Sequence, residues 1–150
     1  MSNKTAKYLI IGGGIIGCSV AYHLAKNGQK DILLLEKSNL TEGATWHAAG
    51  LVGQLRSSRN TTRMLQKSVA MYDRLAGEIG VEFDWKKVGS LRLASTKERL
   101  LEAKRLKTMA RSFNLEMEII TASEAKKLFP YIDDKGLEGA AFIPSDGHVD

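Results

Sequence analysis

The chain carries one cysteine, Cys18, among its 150 residues. A lone thiol excludes an internal disulfide framework and any all-cysteine metal site, and no metal site is expected. Long apolar runs are missing as well. The N-terminal stretch MSNKTAKYLIIGGG reaches its first apolar run within a few residues and is then broken by glycines, so it fits neither a signal peptide nor a membrane span. No block of one charge stands out. The 22 basic and 17 acidic residues give a net charge of +5, dispersed through helical stretches such as 97–107. Mild basicity suits a phosphate-bearing ligand, although a solvated surface is its commoner cause. There is no internal repeat, no low-complexity linker and no interleaving of aromatic with basic residues. At 43% hydrophobic, the chain can bury one core and is not of disordered composition. The expectation is a soluble, cytoplasmic protein without a nucleic-acid or membrane partner.

The strongest local signal lies near the N-terminus. Lys7-Tyr-Leu-Ile-Ile11 reads as a buried strand. It leads into Gly12-Gly-Gly14-Ile15-Ile16-Gly17, a G-x-G-x-x-G. From Ile15 the pattern is helical, with Ile16, Val20, Leu24 and Ala25 on one face and Gly28 closing the helix. A second strand, 31–36, ends in Glu36. Each part has a job in binding a dinucleotide. Gly12 permits the tight turn, Gly14 lets backbone approach a pyrophosphate, and Gly17 lets helix and strand pack closely. The helix N-terminus offers N–H groups and partial positive charge to phosphate. Glu36, about 20 residues past Gly17, can accept hydrogen bonds from both hydroxyls of an adenosine ribose, and its charge would repel a 2′-phosphate and so argues against NADP. The alternative is an α/β turn that happens to be rich in glycine. Cys18 reads as a small packing residue, and His23, mid-helix, has no assigned role.

The βαβ unit alone leaves NAD and FAD open. The next segment departs from a simple repeat of strand and helix. After Lys37 comes a polar turn and then Gly43-Ala44-Thr45-Trp46-His47-Ala48-Ala49-Gly50, a histidine and a tryptophan set among residues with almost no side chain. A helix over roughly 62–80 carries Leu65, Val69, Tyr72, Leu75 and Ile79 at helical spacing, and these read as core. Further on, the pattern predicts a strand over 88–95 and a helix over 98–113 with Leu101, Leu106, Met109 and Phe113 inward. A capping box at Thr121–Glu124 opens a helix that stops before Pro130, and a strand comes next over 139–143. On the residues alone, His47 fits a helix-start histidine bonded to a carbonyl better than it fits a cofactor ligand. Arg56 and Arg59 suit a substrate carboxylate or an ordinary surface, and Asp146 and His148 suit a turn.

The glycine fingerprint, Glu36-Lys37, the TWHAAGL segment (Thr45–Leu51), Gly89–Ala94 and Pro144–His148 together resemble the FAD-binding part of the dimethylglycine and sarcosine dehydrogenases. These belong to the D-amino-acid-oxidase-like flavoproteins, and the resemblance runs over essentially the whole chain. It implies an α/β fold: a Rossmann-like FAD-binding segment over 1–80, then the start of an inserted α+β substrate domain over 81–150, in a piece of a longer polypeptide. The cofactor-binding positions it implies are Gly12, Gly14, Ile15, Ile16, Gly17, Glu36, Lys37, Gly43, Ala44, Thr45, Trp46, His47, Ala49, Gly50 and Leu51. In such proteins the histidine of this segment is joined to the 8α-carbon of FAD, so the resemblance makes His47 the candidate attachment residue. Neutral imidazole is a good nucleophile near pH 7.

The implied reaction is oxidation of an N-methyl amine such as sarcosine or dimethylglycine, by hydride transfer to flavin N5. An electron acceptor such as electron-transfer flavoprotein is implied with it, and so is tetrahydrofolate in a downstream domain. No catalytic residue is assigned within the chain. Three alternatives remain: a non-catalytic regulatory relative, an NAD-linked dehydrogenase, and a flavoprotein acting on tRNA.

Overall fold

The computed structural model describes residues 5–149. It divides into two compact units that meet in sequence between Ala49 and Gly50. The expected boundary near residue 80 falls inside the second unit, at the end of a helix. Each unit is built differently.

In the first unit, strand β1 (Tyr8–Ile11) runs through the glycines into helix α1 (Ile15–Lys26), and strand β2 (Ile32–Leu35) returns beside β1. The two strands pair in parallel, from Tyr8 opposite Ile32 to Ile11 opposite Leu35. Side chains alternate across a strand, and here the alternation divides half-buried from exposed. Tyr8, Ile10, Ile32 and Leu34 are half-buried, whereas Leu9, Ile11, Leu33 and Leu35 are exposed. Both strands are apolar on both faces, as strands of a covered parallel sheet are. Helix α1 ends at Asn27, followed by Gly28 in the left-handed region, where the absence of a Cβ avoids strain.

The second unit holds two antiparallel three-stranded sheets. One orders β3 (Leu51–Val52), β8 (Gly147–Val149) and β4 (Trp85–Lys86), with β8 in the middle. The other places β7 (Gly139–Ile143) between β5 (Ser90–Ala94) and β6 (Glu118–Ile120). Helix α2 (Arg59–Ile79) closes on Gly80 in the left-handed conformation and starts three residues earlier than its apolar stripe suggests, with Ser58 at the N-cap position in extended backbone. Val69 of that stripe is buried, while Ile79 is exposed.

Helix α3 (Lys97–Ser112) is capped by the Thr96 hydroxyl, which accepts from Arg99 N, and α4 (Ala122–Leu128) by the expected Thr121–Glu124 capping box. The inward face of α3 runs through Ala103, Leu106, Met109, Ala110 and Phe113. Leu101, expected inward, is 51% exposed; spacings of three and four define the buried face, and Leu101 falls off it. Ala103 and Ala110 on α3 share the core with Ala141 and Ile143 of β7. Alanines at such positions allow the close approach of helix and sheet that larger side chains would prevent.

Candidate cofactor-binding site

The first unit gathers most of the expected site residues around one glycine that the fingerprint leaves unassigned. Gly13 is the buried member of the glycine turn. Its N–H donates to Glu36 Oε2 at 2.6 Å, and its carbonyl accepts from Thr41 N at 2.9 Å and from Cys18 Sγ at 3.4 Å. A Cβ on Gly13 would press into the Leu40 side chain. Strand end, glycine turn and the segment leading to His47 are thereby bonded together at Gly13.

The other glycines have distinct physical reasons. Gly12 takes φ +102, a conformation L side chains rarely adopt. A side chain at Gly17 would overlap the Gly12 carbonyl oxygen, so only glycine lets α1 start that close to the turn. Gly14 is the N-cap of α1 and offers no side-chain cap, and the first turn holds no acidic residue. Ile15 and Ile16 on that turn are exposed. The positive end of the helix is therefore left for an acceptor from elsewhere. These residues fit the pyrophosphate of a dinucleotide: a helix start whose own N-cap has no side chain, glycines at the approach and no competing carboxylate in the first turn.

Glu36 is held by three backbone donors: Gly13 N, Lys37 N (2.7 Å) and Ser38 N (3.1 Å), the last two on Oε1. These bonds, the one from Gly13 foremost, lower its pKa below the ordinary glutamate range, so it is an anion at neutral pH. A carboxylate offers about four acceptor directions. With three taken, Glu36 can accept one ribose hydroxyl without releasing a backbone donor.

Thr45, Trp46 and His47 lie in a run of turns, not at the start of a helix. Trp46 N donates to Thr41 O and Gly43 O, Ala48 N donates to Thr45 O, and Thr45 Oγ1 accepts from Ile15 N. Trp46 is 78% exposed. The His47 side chain is exposed and makes no hydrogen bond among the described residues. Gly43, with open space beside it, and the exposed Ala44 and Ala49 add little bulk to this run. The last two expected positions belong to the second unit. Leu51 pairs with His148, and a Cβ on Gly50, at φ +67, would overlap the Val149 carbonyl.

The second unit contains a polar knot that sequence patterns do not reveal. The Asp146 carboxylate, 3% exposed, accepts from Gln54 N (3.0 Å), Gln54 Nε2 (2.9 Å) and Ser90 Oγ (2.6 Å), and its carbonyl accepts from Gly89 N. Asp146 also donates its N–H to Ile143 O across the turn between β7 and β8, while His148 is a strand residue of β8. Arg59 donates to Ser112 O and lies over the Phe113 ring, and Arg56 donates to Leu55 O. Both arginines thus have structural partners. Among the described residues, no group of three or more His, Cys, Asp or Glu side chains could hold a metal ion, and no helix is long and apolar enough to cross a membrane.

Residues 7–150 match the family described as FAD dependent oxidoreductase, DAO. The chain belongs to this family. It is 41% identical over 145 residues to the mitochondrial dimethylglycine dehydrogenase of Rattus norvegicus, covering 97% of this chain and 17% of that protein. It is 39% identical over 148 residues to the mitochondrial sarcosine dehydrogenase of Homo sapiens, covering 98% of this chain and 16% of that one. Among solved structures, the L-proline dehydrogenase of P. horikoshii superposes with a TM-score of 0.91 at 29% identity, covering 97% of this chain and 38% of that one. The chain thus spans about a sixth of these curated relatives. The α/β flavoprotein fold, the oxidoreductase family and its dependence on FAD are thereby established.

Proposed function

We infer that the protein is an FAD-dependent oxidoreductase acting on an N-methylated amino acid of the sarcosine or dimethylglycine class, with FAD attached covalently through His47. The observation that carries this reading is the meeting of glycine turn, Glu36 and the His47 segment at Gly13 within one unit. FAD, when bound, supplies a hydride acceptor at N5. The chain's own residues bind and orient it. The start of α1 takes the pyrophosphate, Glu36 takes a ribose hydroxyl, and Gly43, Ala44, Ala48 and Ala49 leave room for a flat ring beside the backbone. An exposed imidazole without a hydrogen-bond partner is free to act as a nucleophile.

For attachment, His47 would supply an imidazole nitrogen as the nucleophile toward the flavin 8α-carbon. The 8α C–H bond would give way to the new C–N bond, and the bound flavin would itself take up the two electrons and protons released, so no further oxidant would be needed. The oxidised amine is an iminium, which hydrolyses to formaldehyde or passes its carbon to tetrahydrofolate bound by another domain. Electron-transfer flavoprotein is the proposed acceptor. A cytoplasmic location belongs to the same proposal, although the rat dimethylglycine and human sarcosine dehydrogenases are mitochondrial. Residues 1–80 are proposed as cofactor domain and 81–150 as the start of the substrate domain.

Acid precipitation of the full-length protein tests the reading. Flavin is expected in the pellet and is expected to move entirely to the supernatant in His47→Ala. Pelleted flavin in His47→Ala would remove His47 from the attachment role. Flavin without oxidation of sarcosine, dimethylglycine or related N-methyl amines would overturn the catalytic reading.

A further inference from the structure

We propose that Thr45 is a positioning residue that latches the His47 turn onto the phosphate-binding helix, so that flavin seating and histidyl attachment depend on one hydroxyl. This rests on the reading of His47 as the attachment residue. Thr45 Oγ1 accepts a 3.0 Å hydrogen bond from Ile15 N, a residue 30 positions away. Helix α1 has no side-chain cap of its own because its N-cap is Gly14. Thr45 therefore performs the capping role from a distant segment. The same oxygen sits against Gly14, where an added Cβ would come within 3.1 Å of it.

The rest of the turn has few other anchors. Gly43 has open space beside it, and Trp46 and His47 are exposed. Three backbone bonds shape the run internally: Trp46 N to Thr41 O and to Gly43 O, and Ala48 N to Thr45 O. Toward the glycine turn and α1, the holds are Thr41 N on Gly13 O, the Leu40 side chain over Gly13, and Thr45 on Ile15 N. Of these, Thr45 lies nearest His47, two residues away. Because the hydroxyl accepts from Ile15, its own proton stays available to donate to an anion at the helix start. One side chain thus links the seat of the pyrophosphate to the residue that must reach the 8α-carbon. Small displacements of a reacting group cost rate steeply, about a hundredfold for 1 Å.

The test uses full-length apoprotein incubated with saturating FAD, with acid-stable flavin followed over time. Thr45→Val keeps the shape and loses the acceptor, and is expected to slow attachment roughly 10- to 100-fold. Thr45→Ser is expected to stay within about twofold of the unmodified protein, since it keeps the hydroxyl. Thermal melting is recorded in parallel, because a cap that only stabilises α1 would lower the melting temperature without changing the attachment rate at saturation. Attachment by Thr45→Val at the unmodified rate overturns the proposal. Thr45→Ala takes its place in the same assay if Thr45→Val does not fold. If the unmodified protein forms no acid-stable flavin, or His47→Ala keeps it, the His47 reading fails by itself. The latch is then judged on FAD dissociation. Weaker binding in Thr45→Val but not in Thr45→Ser supports it, and equal binding in all three overturns it.

Discussion

The two units stabilise themselves by different means. Residues 50–149 contain the buried cluster of Leu55, Ala103, Ala110, Leu115, Met117, Ala141 and Ile143. Residues 5–49 contain no such cluster: α1 has no buried residue, and Gly13 is the buried position of the unit. The first unit is instead held by backbone approach and hydrogen bonds, at Gly17 against Gly12 and at Gly13 with Glu36 and Thr41. Packing errors in the second unit should therefore appear as lost stability. Errors in the first should appear as lost geometry at the proposed cofactor site. A unit whose closest contacts are backbone contacts has little slack for added atoms.

The largest expected effect is in the second unit. Leu115→Ala empties a buried core position and is expected to cost about 2–5 kcal/mol, read from denaturant unfolding. FAD affinity of the folded variant should stay close to that of the unmodified protein. A loss below about 1 kcal/mol would mean that the second unit does not depend on this core.

A smaller effect in energy, and a larger one on binding, is expected from Gly17→Ala. Its methyl would overlap the Gly12 carbonyl oxygen, so the start of α1 must move away from the turn. Strain of this kind costs about 1–3 kcal/mol, which corresponds to a roughly 5- to 150-fold weaker FAD affinity, measured by equilibrium titration. Unchanged affinity would show that the close approach at Gly17 does not shape the cofactor seat.

The same contrast separates what is legible in the sequence from what is not. The glycine fingerprint, Glu36 and the elements around them are local patterns with fixed spacings, and β1, α1 and β2 lie where those patterns place them. The capping box at Thr121 is local in the same way. By contrast, β3, β4, β6 and β8 are two or three residues long, too short for any periodicity to register. Their existence depends on partners far away, such as Leu51 with His148. Asp146 suggests a turn, but its main partners are Gln54, 92 positions earlier, and Ser90. Within the candidate site, spacing and resemblance single out Gly12, Gly14, Gly17, Glu36 and His47. The part played by Gly13 is not, because nothing in a G-x-G-x-x-G marks the middle glycine as a hub.

The smallest expected effect lies on the exposed face of the parallel pair. Leu9 is 56% exposed and Ile11 83%, and they pair in register with the exposed Leu33 and Leu35 respectively. Apolar surface that folding leaves in water contributes nothing to stability when it is removed, so Leu9→Ala is expected to cost less than about 1 kcal/mol. Ile10→Ala, on the half-buried face one residue away, should cost more. Hydrogen exchange at the β1 and β2 amides reads both variants in the same segment. A cost for Leu9→Ala as large as that for Leu115→Ala would break the comparison. It would mean that this face is covered in the working protein and that the first unit has a core it shares with something else. Parallel strands are ordinarily covered on both faces, so the size of this one small number decides whether backbone geometry alone holds the cofactor unit together.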